Sequence, residues 1–359
     1  MAAKNLQELR RKIDLIDSKL LKLLSYRGKL ASQIGEVKKR DNADIHVPAR
    51  EAQILNKITR ENKGPFSNAA IKTLFREILS ASLALEEPIK VSYLGPQASF
   101  SHIASLKQFG RMSVAIPVDY IKDVFENVEK GVAKYGVVPV ENSNEGTVTQ
   151  TVDLFLDYPL KICGEILMRI NHNLLNISGK NSDIKKIISH PQPIAQCREW
   201  ISRNMPGIPV EEVSSTATAA VIASKDKYKA AIASEMAMKI YDLKMVHSHI
   251  EDNCNNFTRF VIIGKESFCR TGDDKTSLMF TTKDRAGALN DVLKHFAANR
   301  ISLSKIESRP SKKKPWEYIF FVDCRGHMED LPVKKTIMRL EKDCVFLTIL
   351  GSYPRGKLD

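Results

Sequence analysis

Polar side chains stand directly before a strand-like apolar run near residue 260. The segment 253–260 reads NCNNFTRF and continues into VIIG. Three amides, a hydroxyl and a guanidinium give this strand entrance a capacity for hydrogen bonding that a functional site could use. A polar turn that caps a buried strand has the same composition, so the rest of the chain has to decide between the two interpretations.

Charged residues also occupy inward positions of the first predicted helix. Apolar residues recur there every three or four positions, but where the spacing of Leu23 and Leu30 calls for an apolar residue the sequence has Arg27. Lys38 follows at nearly the same angle, about 16 Å further along the axis. A cation inside a helical bundle needs an anionic partner.

A later helix shows the same departure from its apolar stripe. The stripe through Phe75 and Leu79 continues into Ser82 and Glu86. Side chains that reach solvent from helix ends would explain Lys38 and Glu86, but they would not explain Arg27 in the middle of its helix. These inward polar positions predict a site for a small polyanion within a helical bundle.

Three loops in the middle of the chain follow strand-like runs and lead into helices. They read LGPQASFSH (94–102), PVENSNEGTV (139–148) and SSTATAA (214–220). Helix N-termini at strand ends bind anions through unpaired N–H groups and the helix dipole. Each loop alone is typical of an ordinary helix cap, but together they predict an anion-binding cleft in an α/β sheet protein.

Three segments with different patterns must position these residues. Residues 5–86 are predicted to be nearly all helical, and residues 90–265 alternate strand-like and helical runs as α/β proteins do. The pattern of residues 275–355 predicts the element order βαββαβ, which is the ferredoxin-like order. The expected fold class is multidomain, with an all-α, an α/β and an α+β part, over residues 1–88, 89–267 and 274–355.

Composition excludes several function classes. Of the 359 residues 43% are hydrophobic and 27% charged, with no apolar leader or membrane-length run, which predicts a cytoplasmic globular protein. The six cysteines form no CxxC pair, so neither a metal site nor a disulfide framework is expected. The net charge of +13 is spread over all regions, and its densest tract is only Lys312–Lys314. This pattern favours anionic small molecules over nucleic acid.

The helical segment LRRKIDLIDSKLLKLLSYRGKLASQIGEVK…PARE resembles the all-helical chorismate mutase family. The resemblance implies that the substrate is bound by Arg10, Arg27, Lys38, Arg50, Glu51, Ser82 and Glu86. Lys38 and Glu86 are implied to act in catalysis, and Glu86 can donate to the ether oxygen only when it is protonated. Arg10 lies seventeen residues, or about 25 Å, before Arg27 on a continuous helix. If both serve one site, Arg10 must come from a partner chain, so we expect a homodimer or homotetramer.

The middle segment resembles prephenate dehydratase. The motifs are GPQASFSH, PVENSNEG, SHPQP, STATAA, ASE and NNFTRF, and Ala98 and Ser99 depart from the family pattern in the first of them. The resemblance implies two lobes, as in periplasmic solute-binding proteins, with prephenate between them and no cofactor. Thr258 is implied as the catalytic residue. The implied prephenate-binding residues are Ser99, Glu141, Asn142, Ser143, Ser215, Thr216, Asn256, Thr258, Arg259 and Phe260.

The last segment resembles the ACT domain that is attached to this dehydratase family. GALN and ESRP resemble its phenylalanine-binding motifs and imply Gly287, Ala288, Leu289, Asn290, Glu307, Ser308, Arg309 and Pro310 as an allosteric site. The three segments in this order resemble bifunctional chorismate mutase–prephenate dehydratases that L-phenylalanine inhibits. A dehydratase that prefers arogenate, or a non-catalytic amino-acid-binding regulator on a solute-binding fold, are the alternatives.

Overall fold

The computed structural model describes residues 2–41, 48–267, 269–311 and 317–358. The Lys312–Lys314 tract lies outside the described residues. The chain divides into two compact units, one of Met1–Ile89 with Phe109–Val114 and one of Lys90–Gln108 with Ala115–Asp359. No helix in the described ranges is both long enough and apolar enough to cross a membrane.

The first unit is helical, as the apolar periodicity predicts. Its helices are α1 (Ala2–Arg40), α2 (Pro48–Glu61) and α3 (Asn68–Glu86). Ser67 caps α3 by accepting a hydrogen bond from the backbone N–H of Ala70 at 3.2 Å. Both α1 and α2 pack against α3.

A stripe of apolar side chains on α1 is left uncovered by the residues that the structure describes. Leu9, Ile13, Ile16 and Leu20 are each between 50% and 56% exposed. Burial of large apolar side chains is a main stabilising term in folding, so an uncovered stripe of this length indicates an interaction surface.

The α/β part of the second unit alternates strands and helices, and the strands predicted from VSYL, YGVVPV, KKIIS, AAIA and RFVIIG are confirmed. The strands are β1 (Lys90–Leu94), β2 (Val114–Val118), β3 (Tyr135–Asn142), β4 (Gly146–Thr147), β5 (Lys161–Arg169), β6 (Asn173–Asn176), β7 (Lys186–Ser189), β8 (Val210–Glu212), β9 (Lys229–Ala233), β10 (Lys244–His247) and β11 (Phe257–Gly264). The helices are α4 (Phe100–Phe109), α5 (Ile121–Glu129), α6 (Thr149–Leu154), α7 (Pro191–Gln196), α8 (Arg198–Asn204), α9 (Thr216–Ala223) and α10 (Glu235–Ile240).

These strands form two sheets, which confirms the expected two lobes. The first lobe has the order β2-β1-β3-β11-β5, with β4 paired to β3, and the second lobe has the order β10-β6-β9-β7-β8. The chain leaves the first lobe after β5 and returns to it at β11. The segment NCNNF is therefore the return crossover, and Thr258 lies at the start of a central strand, between β3 and β5.

The C-terminal domain has the predicted βαββαβ order. It consists of β12 (Asp274–Thr282), α11 (Ala288–Ala298), β13 (Leu303–Pro310), β14 (Tyr318–Arg325), α12 (Leu331–Asp343) and β15 (Cys344–Pro354). Its antiparallel sheet has the order β13-β14-β12-β15, so β13 is an edge strand.

One face of this C-terminal sheet packs on the first lobe. Met279, Phe321 and Leu350 of the sheet belong to the same apolar core as Val138 and Ile162 of the first lobe. The opposite face carries a separate core with the two helices. Because close-packed cores transmit displacement, the first lobe and the C-terminal sheet are mechanically joined.

Candidate active sites

Two of the inward polar positions of the helical unit meet between α1 and α3. The guanidinium of half-buried Arg27 donates to the hydroxyl of Ser82 and lies 3.5 Å from the carbonyl oxygen of Ile78. The Ser82 hydroxyl donates in turn to the same carbonyl at 2.7 Å. Arg27 is thus held by neutral oxygens, which leaves its positive charge available to an anion.

The other two inward positions, Lys38 and Glu86, form an ion pair near the C-terminal ends of α1 and α3. The Nζ of Lys38 lies 3.3 Å from the Oε2 of Glu86, whose side chain is only 7% exposed. The helices approach closely here, since a Cβ on Gly35 would lie 2.9 Å from the Cγ of Glu86. Glu86 is an ion-pair partner in this arrangement, and its role as a protonated donor to an ether oxygen stays a prediction.

The remaining residues predicted for this site lie on exposed or half-buried helix surface. Arg10 is exposed on the N-terminal half of α1, and the structure does not bring it to Arg27 of the same chain. Arg50 is exposed and Glu51 half-buried in the first turn of α2. One of the four predicted cations thus lies about 25 Å away along α1, so a single chain brings together only part of the predicted anion site.

Thr258 in the first lobe belongs to a buried amide network. The side-chain nitrogen of Asn142 donates to the hydroxyl oxygen of Thr258 and to the side-chain oxygen of Asn256, both at 2.9 Å. The backbone N–H groups of Asn144 and Glu145 donate to the side-chain oxygen of Asn142, at 2.9 and 3.3 Å. These backbone donors fix the orientation of the Asn142 amide.

The orientation of Asn142 determines what the Thr258 hydroxyl can do. Because Asn142 presents its NH2 group, the Thr258 oxygen accepts that hydrogen bond. The hydroxyl proton of Thr258 is then available for donation to another group, such as a bound substrate. Donation from an amide also makes the hydroxyl a better donor, since neighbouring hydrogen bonds polarise one another.

The network continues into the second lobe through two residues that the sequence did not suggest. The side-chain oxygen of Gln196 accepts from the Nδ2 of Asn256 and from the Nε2 of His172, both at 2.9 Å. Burial lowers the pKa of His172, so its ring is neutral at neutral pH and carries its proton on Nε2. The network ties the position of Asn256 to both lobes.

Several other predicted prephenate-binding residues organise the loops around this network. The Ser143 hydroxyl donates to the carbonyl of Asn255 at 2.9 Å and accepts from the N–H of Phe257 at the same distance. Ser99 accepts from the N–H of His102 at 3.2 Å. Ser215 caps α9, whose first residue is the buried Thr216.

Two predicted substrate-binding residues are placed differently from the expectation. Phe260 is fully buried among the core side chains, so it has a packing role. The guanidinium of Arg259 is only 10% exposed and donates to Glu165 at 2.7 Å and to Asp323 at 2.6 Å. It also donates to the Tyr353 hydroxyl at 2.9 Å. Neighbouring residues of a strand point to opposite faces, so the side chains of Thr258 and Arg259 lie on opposite faces of β11, and substrate binding by Arg259 stays a prediction.

Glu141 also faces away from the Thr258 network. Its Oε2 lies 3.3 Å from the Nζ of Lys305 and 3.6 Å from the guanidinium of Arg259. Glu141 and Asn142 are neighbours on β3, and the same alternation sends their side chains to opposite faces. Glu141 therefore belongs to the contact between the first lobe and the C-terminal sheet.

The two predicted effector motifs lie on different elements of the C-terminal domain. Gly287 caps α11 with φ of +80°, a left-handed conformation that favours glycine, and a Cβ there would meet nothing within 4 Å. Beyond it, Ala288 is buried, Leu289 half-buried and Asn290 exposed.

The second motif lies on the edge strand β13 and divides between its two faces. Glu307 contacts the Thr147 hydroxyl, and the Nε of Arg309 lies 3.2 Å from Asp153 of the first lobe. Ser308 and Pro310 are exposed. Because only alternate residues of a strand share a face, Glu307 and Arg309 lie toward the first lobe and Ser308 and Pro310 face away from it. The role of the four residues in effector binding stays a prediction.

Comparison with known proteins matches each part of the chain to a family. The family descriptions are chorismate mutase type II over residues 9–87, prephenate dehydratase over residues 91–268 and ACT domain over residues 276–342.

Relatives of the same length match nearly end to end. A bifunctional chorismate mutase/prephenate dehydratase of Aquifex aeolicus is 48% identical over 357 residues, which is 98% of this chain and 99% of that protein. The protein of the same description from Pseudomonas aeruginosa is 43% identical, over 98% of each chain.

A solved structure supports the arrangement of the second unit. The crystal structure of prephenate dehydratase from Arthrobacter aurescens, in complex with L-Phe, aligns with a TM-score of 0.68 and 33% identity. It covers 74% of this chain and 90% of its own.

Proposed function

Because the chain belongs to the family of bifunctional chorismate mutase/prephenate dehydratases, we propose that it catalyses both reactions. The helical unit converts chorismate to prephenate, and the two-lobed domain converts prephenate to phenylpyruvate. The proposed domain boundaries are 1–88, 89–267 and 274–355. A cytoplasmic location is proposed with this biosynthetic role.

The mutase reaction requires that the helical unit bind a dianionic substrate and hold it in a folded conformation. The rearrangement breaks an ether bond and forms a carbon–carbon bond within one molecule, with no covalent enzyme intermediate. Arg27 and Lys38 supply positive charge where it can bind carboxylates and stabilise charge on the ether oxygen. Ser82 and Glu86 hold these two cations in place, and Arg50 and Glu51 are proposed to complete the site from α2.

The single observation that carries the dehydratase proposal is the hydrogen bond from Asn142 to the Thr258 hydroxyl. Prephenate loses its ring carboxylate as CO2 and its ring hydroxyl as water, and the electron pair left by CO2 completes the aromatic ring. Hydroxide is a poor leaving group, so it needs a proton or a strong hydrogen bond as it departs. Thr258 presents its proton for this purpose, Asn142 holds the hydroxyl in position, and Asn256 in turn binds Asn142.

Turnover of purified protein with two alternative substrates tests this function. We expect formation of phenylpyruvate from prephenate to exceed formation of phenylalanine from arogenate. A preference for arogenate would identify the other dehydratase class, and no turnover of either would favour a non-catalytic amino-acid-binding regulator. We further propose inhibition by L-phenylalanine at the ACT domain, as the ligand of the Arthrobacter aurescens relative suggests.

The mutase site is proposed to be shared between two chains. The uncovered apolar stripe of α1 supports a partner helix, and an antiparallel partner would bring its Arg10 to the Arg27 of the first chain.

Mixing two inactive variants tests whether the site is shared. Arg10→Ala and Arg27→Ala should each lose most mutase activity. In a mixed dimer one of the two sites contains neither substitution, so a statistical mixture should recover about one quarter of wild-type activity. Co-expression of the two chains followed by a chorismate assay measures it. Activity no higher than that of the separate variants would contradict a site shared between two chains.

A further inference from the structure

Buried ion pairs join the strand that carries Thr258 to the C-terminal sheet. Arg259 donates to Asp323 of β14 and to Glu165 of β5. Glu165 also binds Lys275 of β12 at 2.8 Å. Removing one partner from such a pair leaves an uncompensated buried charge, so these contacts hold the two sheets in a defined relation.

A second bridge starts from the effector motif on β13. The ammonium of Lys305 lies 2.8 Å from the Thr147 hydroxyl and 3.3 Å from each of two carboxylates, those of Glu307 and Glu141. Glu307 belongs to the motif proposed for phenylalanine, whereas Glu141 and Thr147 belong to the first lobe. Lys305 is only 14% exposed, so its charge is shared among these neighbours rather than solvated.

The two bridges meet at Glu141. Its carboxylate is 3.3 Å from Lys305 and 3.6 Å from Arg259. Glu141 directly precedes Asn142, and Arg259 directly follows Thr258. A change in the charge around Glu141 can therefore displace both Asn142 and Thr258, since each is only one peptide unit away from a residue of this ion-pair cluster.

We propose that Lys305 is the positioning residue through which an amino-acid effector at the ACT domain controls the dehydratase site, by dividing its charge between Glu307 and Glu141. The inference rests on the proposed inhibition by phenylalanine. An amino acid carries an ammonium group, for which the Glu307 carboxylate is a chemically suitable partner. A bound ammonium competes with Lys305 for Glu307, and Lys305 then pairs more fully with Glu141.

The consequence for Thr258 follows from the strand geometry. As Glu141 turns toward Lys305, it withdraws from Arg259, whose remaining partners are on β5 and the C-terminal sheet. The pairing of β11 with β3 is irregular between Arg259 and Phe260, which indicates a bulge where the ladder can adjust. A small displacement there changes the hydrogen bond from Asn142 to Thr258, on which the proposed catalysis depends.

The substitution Lys305→Gln separates effector binding from inhibition. L-phenylalanine should bind at least as tightly as to the wild type, because its competitor for Glu307 is gone. Dehydratase activity at saturating phenylalanine should be at least about tenfold higher than that of the inhibited wild type, within the range of ordinary allosteric coupling. Titration calorimetry with L-phenylalanine and prephenate turnover with and without it measure the two quantities.

Two matched variants accompany this experiment. Lys305→Arg keeps the charge and should retain inhibition, and Lys335→Gln removes a charge from the exposed surface of α12 and should behave as the wild type. If Lys305→Gln is inhibited as fully as the wild type, or no longer binds phenylalanine, the proposed path is wrong. A wild type that neither binds nor responds to phenylalanine would instead overturn the proposed regulation itself.

If Lys305→Gln does not fold, Asp323→Asn tests the same path from its other end. This variant removes the charge that holds Arg259 to β14, with little change in volume. We expect a lower kcat at nearly unchanged KM, together with weaker inhibition. An unchanged kcat and unchanged inhibition would contradict the path.

Discussion

Replacing Thr258 by valine should abolish prephenate turnover while leaving chorismate turnover intact. Valine keeps the volume and the strand preference of threonine but removes the hydroxyl. Assistance by a positioned proton donor contributes about 10²- to 10⁴-fold, so we expect kcat for prephenate to fall by about 10³-fold. Given chorismate at neutral pH, the variant should accumulate prephenate, as measured by chromatography.

The control for this experiment is Thr258→Ser, which retains the hydroxyl. It should keep a substantial share of the activity, because Asn142 can still donate to the serine oxygen. Equal loss of mutase and dehydratase activity in Thr258→Val would indicate misfolding rather than a catalytic role. Full dehydratase activity would remove Thr258 from the mechanism.

Replacing Arg27 by alanine should produce the opposite result. Its contacts lie within the helical unit, with Ser82 and the carbonyl of Ile78. Loss of a preorganised group that stabilises developing charge costs about 10²- to 10³-fold in rate, and we expect a loss of that size for chorismate. Prephenate turnover should stay within about twofold of the wild type, since Thr258 and its partners are unchanged.

A matched control shows whether the effect of Arg27→Ala depends on the position of the cation or only on the loss of a positive charge from the helical unit. Lys12→Ala removes a solvent-exposed cation of α1 that pairs with Glu8 on the helix surface, where ion pairs contribute little. It should leave both activities unchanged. A variant Arg27→Ala with wild-type mutase activity would refute the proposed role of the inward cations.

The helical site could be predicted largely from periodicity. A regular helix fixes the angle of every residue, so departures from the apolar stripe identified Arg27, Lys38, Ser82 and Glu86 as inward positions. The structure pairs Arg27 with Ser82 and Lys38 with Glu86. Periodicity within one chain does not tell whether a second chain covers the exposed stripe of α1.

The dehydratase network could be predicted only in part, because its members come from distant parts of the chain. Asn142 and Thr258 are 116 positions apart, and their meeting depends on β3 pairing with β11. Gln196 ends a short helix and His172 lies in a crossover, where no periodicity marks a residue as inward. Contacts of this kind are set by tertiary structure alone.

The placement of Arg259 could have been predicted from the alternation of side chains along a strand. NNFTRF presents Thr258 and Arg259 as one functional unit, but successive residues of a strand face opposite sides. The same alternation divides ESRP, so that Glu307 and Arg309 face the first lobe. Strand periodicity alone could therefore have predicted that these side chains lie on the opposite face of their strand from their neighbours in the motif.

One chain is proposed to perform two consecutive reactions at separate sites. A time course of purified wild-type protein with chorismate, followed for chorismate, prephenate and phenylpyruvate, tests it most directly. We predict that chorismate is consumed and phenylpyruvate formed, and that added L-phenylalanine suppresses phenylpyruvate formation. Chorismate consumption without phenylpyruvate in the absence of phenylalanine, or no consumption at all, would contradict the account.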